Sequence, residues 1–410
     1  MHIGDTPDEA AFRAEARAWL STQASERDPE ASAEDTDLTG HIAMCRTWQA
    51  TLAEHGWAGI TWPATFGGRG GTAVQASIFA EEQARFDVAT GAFAVAIGMV
   101  GPTLIAHGSP EQQERFLTPM LRGEHVWCQL FSEPDAGSDL ASLGTRAERR
   151  DGRWVINGQK VWTSLGQHSD WAILLARTDP DVPKHAGITY FCVDMRSPGI
   201  EIRPLTQITG VAHFNEVFLT DVEVDDDCVI GAVGDGWSVA RTTLTSERAF
   251  IGGGTGGWNV NQLIDTARRL GRSNEPLVRQ RLAEAHCRAE TLTYLGYRLR
   301  TAMSQGRMPG PEMYVLKLAY ARHWAATADL AMDLLGAEAM LGDFSPISTD
   351  GSDDGGLDDR WQSMFLSQYA IRLGGGTDEV QHNIIGEQGL GLPREPSADR
   401  GVPWREAART

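Results

Sequence analysis

WCQLFSEPDAGSDL (residues 127–140) and INGQKVWTSLGQHSDWAILLART (residues 156–178) lie between two long helical regions, and their reading divides the chain. In the first stretch a strand runs to Phe131 and the chain turns on Pro134 and Gly137. Ser132, Ser138 and nearby backbone N–H groups can therefore converge on an anionic or carbonyl-rich ligand, or the two hydroxyls can serve only to form the turn. The second stretch predicts a hairpin turning at Asn157-Gly158, with Trp154, Ile156 and Trp162 flanking it. Together they make a small β module with aromatic and hydroxyl side chains at its strand ends.

Outward from this module the period of the apolar pattern changes twice. From Trp127 to about Val233 it is two: 143–149, 153–163, 171–177, 187–195, 199–205 and 215–224 are short, rich in β-branched and aromatic residues, and broken by Asp151-Gly152 and Ser197-Pro198-Gly199. This region reads as an antiparallel barrel or sandwich. Before it, Thr6-Pro7-Asp8-Glu9 forms a capping box, and Phe12, Ala16, Trp19 and Leu20 make one helical stripe. Helical patterns also cover about 42–55, 73–87 and 91–107, and Ser109-Pro110-Glu111-Gln112 opens a helix that stops near Gly123. After Gly236 four long helical stretches follow, near 237–270, 276–305, 311–341 and 361–391, with a Gly/Asp-rich insert at 342–359. The expected class is α+β in three domains: an all-helical 1–126, a β domain 127–235 and a helical 236–410.

Composition bounds the function. With 410 residues and 41% apolar side chains the chain can fill several packed cores. Cys45, Cys128, Cys192, Cys228 and Cys287 are odd in number, widely spaced and never C-x-x-C, which suggests neither a disulfide framework nor a zinc site and fits a reducing, cytoplasmic compartment. The most apolar run, Gly91 to Ala106, is too short and too broken to span a bilayer. A formal charge of −19 disfavours nucleic acid, and an anionic ligand would need locally placed arginines.

Two stretches of the third region carry chemistry. In LTSERAFIGGG (residues 244–254), Ala240, Thr243, Leu244, Glu247 and Ile251 share one face of a helix, with Arg241, Thr245 and Arg248 on a neighbouring one. A carboxylate on a mostly apolar face is unusual, and desolvation there would suit a base that takes a proton from carbon. A Glu247 salt-bridged to a neighbour and an Arg248 facing water are the plainer alternatives. In LGGGTDEVQHNIIGEQGLGLPREP (residues 373–396), the consecutive glycines permit close backbone approach to a ligand, or simply make a turn between helices. Thr377, Asp378 and Glu379 can open the next helix.

SEPDAGSDL, NGQKVWTS, the Glu-Arg helix followed by GGG, and GGTDEVQHNIIGEQGLGLPREP, in this order and spacing, resemble the acyl-CoA dehydrogenase family over essentially the whole chain. The resemblance implies a helical N-terminal domain, a middle β domain, a C-terminal four-helix domain, and FAD bound non-covalently between them and between subunits. Carried over residue by residue, Leu130, Phe131 and Ser132 match the contact to the flavin pyrimidine edge, and Gly137 and Ser138 the pyrophosphate and substrate loop. Trp162 matches the aromatic flanking the flavin, with barrel core as its alternative, Ser164 the hydroxyl that bonds N5, and Thr377 and Glu379 a pair contacting FAD near its diphosphate and ribose.

Most family members place the catalytic Glu where this chain has Gly375, which has no side chain to accept a proton. A minority carry it on the helix at the position of Glu247, so the resemblance assigns the base to Glu247, keeps the Gly375 N–H as a donor to the thioester carbonyl, and puts Arg248 near the CoA. It implies α,β-dehydrogenation of an acyl-CoA, an electron-transfer flavoprotein or similar acceptor, no metal, and a homodimer or homotetramer. The pattern is also similar to actinobacterial enzymes for steroid or branched acyl-CoA, some of them heterotetramers. A non-catalytic partner subunit and a flavin monooxygenase or nitroalkane-oxidase-like relative are the other readings. The family's cross-dimer arginine falls on Ala267, leaving Arg268, Arg272 or Arg279 as substitutes, and the adenine motif is reduced to residues 333–340.

Overall fold

The computed structural model describes residues 4–27, 38–252, 260–305, 307, 310–341, 357–396 and 399–407. Its N-terminal part is helical: α1 (Pro7–Gln23), α2 (Leu38–Glu54), α3 (Ala73–Gln83), α4 (Gly101–His107), which continues a wider π turn at Ala96–Val100, and α5 (Pro110–Leu121). Thr6 caps α1 as expected: its hydroxyl accepts from the Glu9 amide at 3.3 Å while its own amide donates to the Glu9 carboxylate at 2.8 Å. Phe12, Ala16 and Leu20 are buried, and Trp19 stacks on Trp57 at 5.4 Å, so the stripe read from the sequence faces the core.

The middle region contains, among the described residues, an eight-stranded sheet: β1 (Trp127–Leu130), β2 (Arg146–Arg150), β3 (Arg153–Ser164), β4 (Trp171–Arg177), β5 (Ile188–Asp194), β6 (Ile200–Leu205), β7 (Phe214–Val224) and β8 (Val229–Ile230). The order is β6-β7-β3-β2-β4-β5-β8, with β1 pairing in parallel with β4. Every residue of β4, WAILLAR, is buried, because both faces of that strand are covered.

Asn157-Gly158 does not turn the chain. The hairpin closes at Asp151-Gly152, both in left-handed conformation (φ 50° and 84°), and Asn157-Gly158 lies inside β3. The glycine serves close packing there: a Cβ on Gly158 would meet the Thr145 hydroxyl at 2.3 Å, and the pairing of β3 with β7 slips between Ile156 and Gly158.

The third region begins with α6 (Gly236–Gly252), followed by α7 (Val260–Arg269), α8 (Pro276–Ser304), α9 (Glu312–Leu335), α10 (Leu357–Leu373) and α11 (Asp378–Ile384). The pattern read near 361–391 is therefore interrupted, because Gly375 and Gly376 take φ of 65° and 98° and end the helical run. Most of the insert near 342–359 lies outside the described residues. Two cores result. The N-terminal helices, the sheet and Val239 and Ala240 of α6 share one, and α7 to α10 share the other around Trp324, Leu334 and Trp361. Helix α6 thus belongs by its first turns to the sheet, and it also packs on α9.

Candidate active site

Helix α6 is pinned by hydroxyls. Thr243 is fully buried, and its oxygen lies 2.9 Å from the Thr103 hydroxyl of α4 and 3.0 Å from the Tyr190 hydroxyl of β5. Thr242 meets the His107 ring at 2.8 Å. One helical turn beyond Thr243, on the same face, stands Glu247, half-buried. Its carboxylate accepts from the Gln129 side-chain amide of β1 at 3.4 Å, which places it beside the strand that runs into the loop at Leu130. Arg241 and Thr245 are exposed, as the helical wheel demands. The side chains of Arg248 and Ile251 lie outside the described residues.

The loop after β1 is fastened to β3 by a buried ion pair. Lys160 is fully buried, and its ammonium donates to the Phe131 carbonyl at 3.0 Å and to the Glu133 carboxylate at 2.8 Å. Glu133 also accepts from the amides of Gly144 at 2.6 Å and Thr145 at 2.9 Å. Burial alone would push its carboxyl up, but the Lys160 charge and these hydrogen bonds hold it below the usual range. The Val161 amide donates to the Ser132 carbonyl at 2.9 Å. Leu130 and Phe131 are buried, Phe131 edge-on to Tyr190, so what they offer a ligand is backbone. Ser132 is half-buried, and Gly137 and Ser138 are exposed on the fastened loop.

Trp162 is not barrel core. By alternation it should point inward with Trp154, Ile156 and Lys160, but the β3–β7 register slips between Lys160 and Thr163. Trp162 takes φ of 61° and turns out, leaving the residue 61% exposed, while Thr163 takes the inner place. An aromatic L-residue held in this conformation costs about 1–2 kcal/mol, which the surrounding strand must overcome. Ser164 is exposed beside it.

The glycine turn is held from behind. Lys317 of α9 donates to the carbonyls of Gly376 at 2.6 Å and Arg372 at 3.2 Å, and Gln381 of α11 donates to that of Gly375 at 2.9 Å. Thr377 caps α11 through the Val380 amide at 3.2 Å. Asp378 is buried against Arg372, and the exposed Glu379 carboxyl is held low by its own backbone amide and the Thr377 hydroxyl. Among the described residues no hydrogen bond or ion pair joins Thr377 or Glu379 to Ser132, Ser138, Trp162 or Ser164. Of the arginines considered for the far end of the cofactor, Arg272 is committed to Glu275 and the Asp333 and Leu334 carbonyls, and Arg268 pairs with Asp265.

Sequence reasoning missed Gln129, Glu133, Lys160 and Lys317. Lys160 had a readable signal, since it shares the inward parity of Trp154 and Ile156. Lys317, a lysine within the apolar run MYVLKLAYA, had a similar one. Among the described residues there is no group of His, Cys, Asp and Glu that could hold a metal ion, and no helix long and apolar enough to cross a membrane.

Profiles of the acyl-CoA dehydrogenase N-terminal, middle and C-terminal domains match residues 6–124, 128–222 and 234–390. The acyl-CoA dehydrogenase IpdE1 of Mycobacterium tuberculosis is 40% identical over 398 residues, covering 94% of this chain and 98% of the relative. Among solved structures, the Tcur3481-Tcur3483 steroid ACAD is similar at 27% identity and a TM-score of 0.78, covering 96% of this chain and all of that one. The ChsE4-ChsE5 complex from Mycobacterium tuberculosis is similar at 29% identity and a TM-score of 0.75, with the same coverage. With domain matches in this order and a relative matched almost end to end, the chain belongs to the acyl-CoA dehydrogenases, a family of FAD-dependent oxidoreductases.

Proposed function

We propose that Glu247 is the base of this dehydrogenase and that its substrate is the CoA thioester of a steroid side chain or a branched acid. The observation that carries the reading is the position of the carboxylate: half-buried on α6 beside Gln129, while the other family position for a base is Gly375. A thioester lying between α6 and the glycine turn would meet Glu247 at its α-carbon and the Gly375 N–H at its carbonyl. A preorganised donor of that kind contributes about 3 kcal/mol to the transition state. The proton taken from the α-carbon stays on Glu247. Arg248 is assigned to an anionic group of the CoA.

The residues fit FAD. Trp162 is displayed at the cost of backbone strain, the buried Thr163 hydroxyl beside it has no partner among the described residues, and the Gly137-Ser138 loop is exposed yet fastened. Leu130, Phe131, Ser132, Gly137, Ser138, Trp162 and Ser164 are assigned to one side of the cofactor site. Thr377 and Glu379, which do not bond to that group among the described residues, are assigned to the site of a second subunit. Bound FAD supplies the acceptor for the β-hydrogen.

A steroid-type substrate is supported by the name of one solved relative, the Tcur3481-Tcur3483 steroid ACAD, and by the room that a glycine leaves at residue 375. The names of both solved relatives support assembly with a second chain, and an oligomer of this chain alone is the other form of the same reading. An electron-transfer flavoprotein as acceptor and a cytoplasmic location are parts of the same reading. The role of a non-catalytic partner subunit is not favoured, because the chain retains a carboxylate at the base position and its relative is a dehydrogenase.

The test is a panel of straight, branched and steroid acyl-CoA thioesters with an artificial electron acceptor, on wild type and Glu247→Gln. The variant is expected to keep its yellow flavin and lose turnover by about three orders of magnitude or more, as removal of an essential base does. Retained turnover would overturn the assignment.

A further inference from the structure

Lys317 is 2% exposed on α9, in a stretch that is otherwise apolar or small. An ammonium so placed must use its donors. Two go to main-chain carbonyls that close the glycine turn, Gly376 at 2.6 Å and Arg372 at 3.2 Å. With Gln381 holding the Gly375 carbonyl at 2.9 Å, both carbonyls of the two left-handed glycines point toward α9 and α11. A trans peptide sets its N–H opposite its C=O, so the amides of Gly376 and Thr377 point the other way, and the Gly375 N–H assigned to the thioester carbonyl belongs to the peptide just before these two clamped ones. The charged groups that act on Lys317 are Asp378 of α11, Glu247 of α6 and Arg372 of α10. Burial lowers its pKa, and the two carboxylates oppose that fall. Asp378 already pairs with Arg372 at 2.9 Å.

We propose that Lys317 is a positioning residue of the reaction: one ammonium clamps the turn that presents the thioester-binding amide and, from a helix packed on α6, stands as the counter-charge to Glu247. This rests on Glu247 being the base. It ties the two halves of the machinery, proton acceptor and carbonyl donor, to one buried cation, so that neither is correctly set without it. Gln381 shares the clamp but carries no charge, which separates the two duties.

The experiment compares Lys317→Met, Lys317→Gln and Gln381→Leu with wild type and Glu247→Gln. In Lys317→Met, kcat is expected to fall at least about tenfold with a smaller change in KM. The acidic limb of the kcat/KM profile should move up by about one pH unit or more, because an opposite charge that favoured the carboxylate has gone. Lys317→Gln, which keeps a donor, should show the same limb shift with a smaller loss of kcat, and it carries the comparison should Lys317→Met fold poorly. Gln381→Leu should lower kcat and leave the limb in place. A readout independent of turnover is amide exchange at residues 374–378 in flavin-free protein, expected to quicken in Lys317→Met and Gln381→Leu. A limb that stays at the wild-type position in both Lys317 variants, with Glu247→Gln inactive, overturns the role of Lys317 and leaves the base standing. Turnover retained by Glu247→Gln removes the base and this inference with it.

Discussion

Trp162 shows how far a single residue can be read from a chain. Its neighbours Trp154, Ile156 and Lys160 follow alternation, and by the same count Trp162 should be buried. What reverses it is a slipped register and one positive φ, features of pairing with β7 that no local pattern announces. The cost is offset by little packing, an edge contact with Phe214, since most of the residue faces outward. Trp162→Gly should therefore change the stability of the flavin-free protein by less than about 1 kcal/mol, the relief of strain offsetting the lost ring contact with Phe214 and the added freedom of the unfolded chain. Flavin retention should fall clearly. Denaturant titration of the apoprotein and flavin release on dilution check the two halves, and a large loss of apoprotein stability would mean that the tryptophan is structural after all. Glu247 was readable for the opposite reason: a helical period of 3.6 places Thr243 and Glu247 on one face wherever the helix sits.

At the scale of elements, the loop between β1 and β2 depends on one buried ion pair. Removing one partner of such a pair typically costs about 3–5 kcal/mol, because the other is left charged and unpaired. Lys160→Met is expected to cost that much and to loosen residues 131–145, seen as faster proteolysis of the loop and weaker flavin binding. Acid should act through the same pair. Glu133 is held below its unfolded value, so its contribution is complete above the ordinary carboxylate range and is lost as pH falls through the lowered value. Stability should therefore drop more steeply below about pH 4 in wild type than in Glu133→Gln, measured by thermal melts across an acidic pH series. The element boundaries were mostly legible, because capping boxes and period-two runs are local. The Asn157-Gly158 turn was misread because the same dipeptide serves a tight approach to Thr145 across the sheet, a contact set by tertiary packing. The long pattern after residue 360 hid a break because its glycines matter through φ, which the apolar period does not register.

Across the whole molecule, the end of the chain returns to the middle domain. Trp404 donates from its indole to the Ser142 carbonyl at 3.2 Å and lies 4.7 Å under the Arg177 guanidinium, which itself donates to the carbonyls of Ala141 at 2.6 Å and Leu143 at 3.3 Å. Lys184 bridges Asp139 and Asp399 at 2.8 and 2.6 Å. Nothing local to GVPWREA suggests a destination near SEPDAGSDL, so this contact could not be read from the sequence. Trp404→Ala should cost about 1–2 kcal/mol, the worth of a partly desolvated cation–π contact and one hydrogen bond, and should speed flavin loss more than its effect on melting implies. Equal flavin off-rates in variant and wild type would leave the strap without a part in holding the cofactor loop.

Because that strap is translated some 250 residues after the loop it fastens, the loop emerges from the ribosome and waits through that stretch of elongation without its clasp. Nascent chains arrested before Asp399 should accordingly lose flavin faster than the finished protein does.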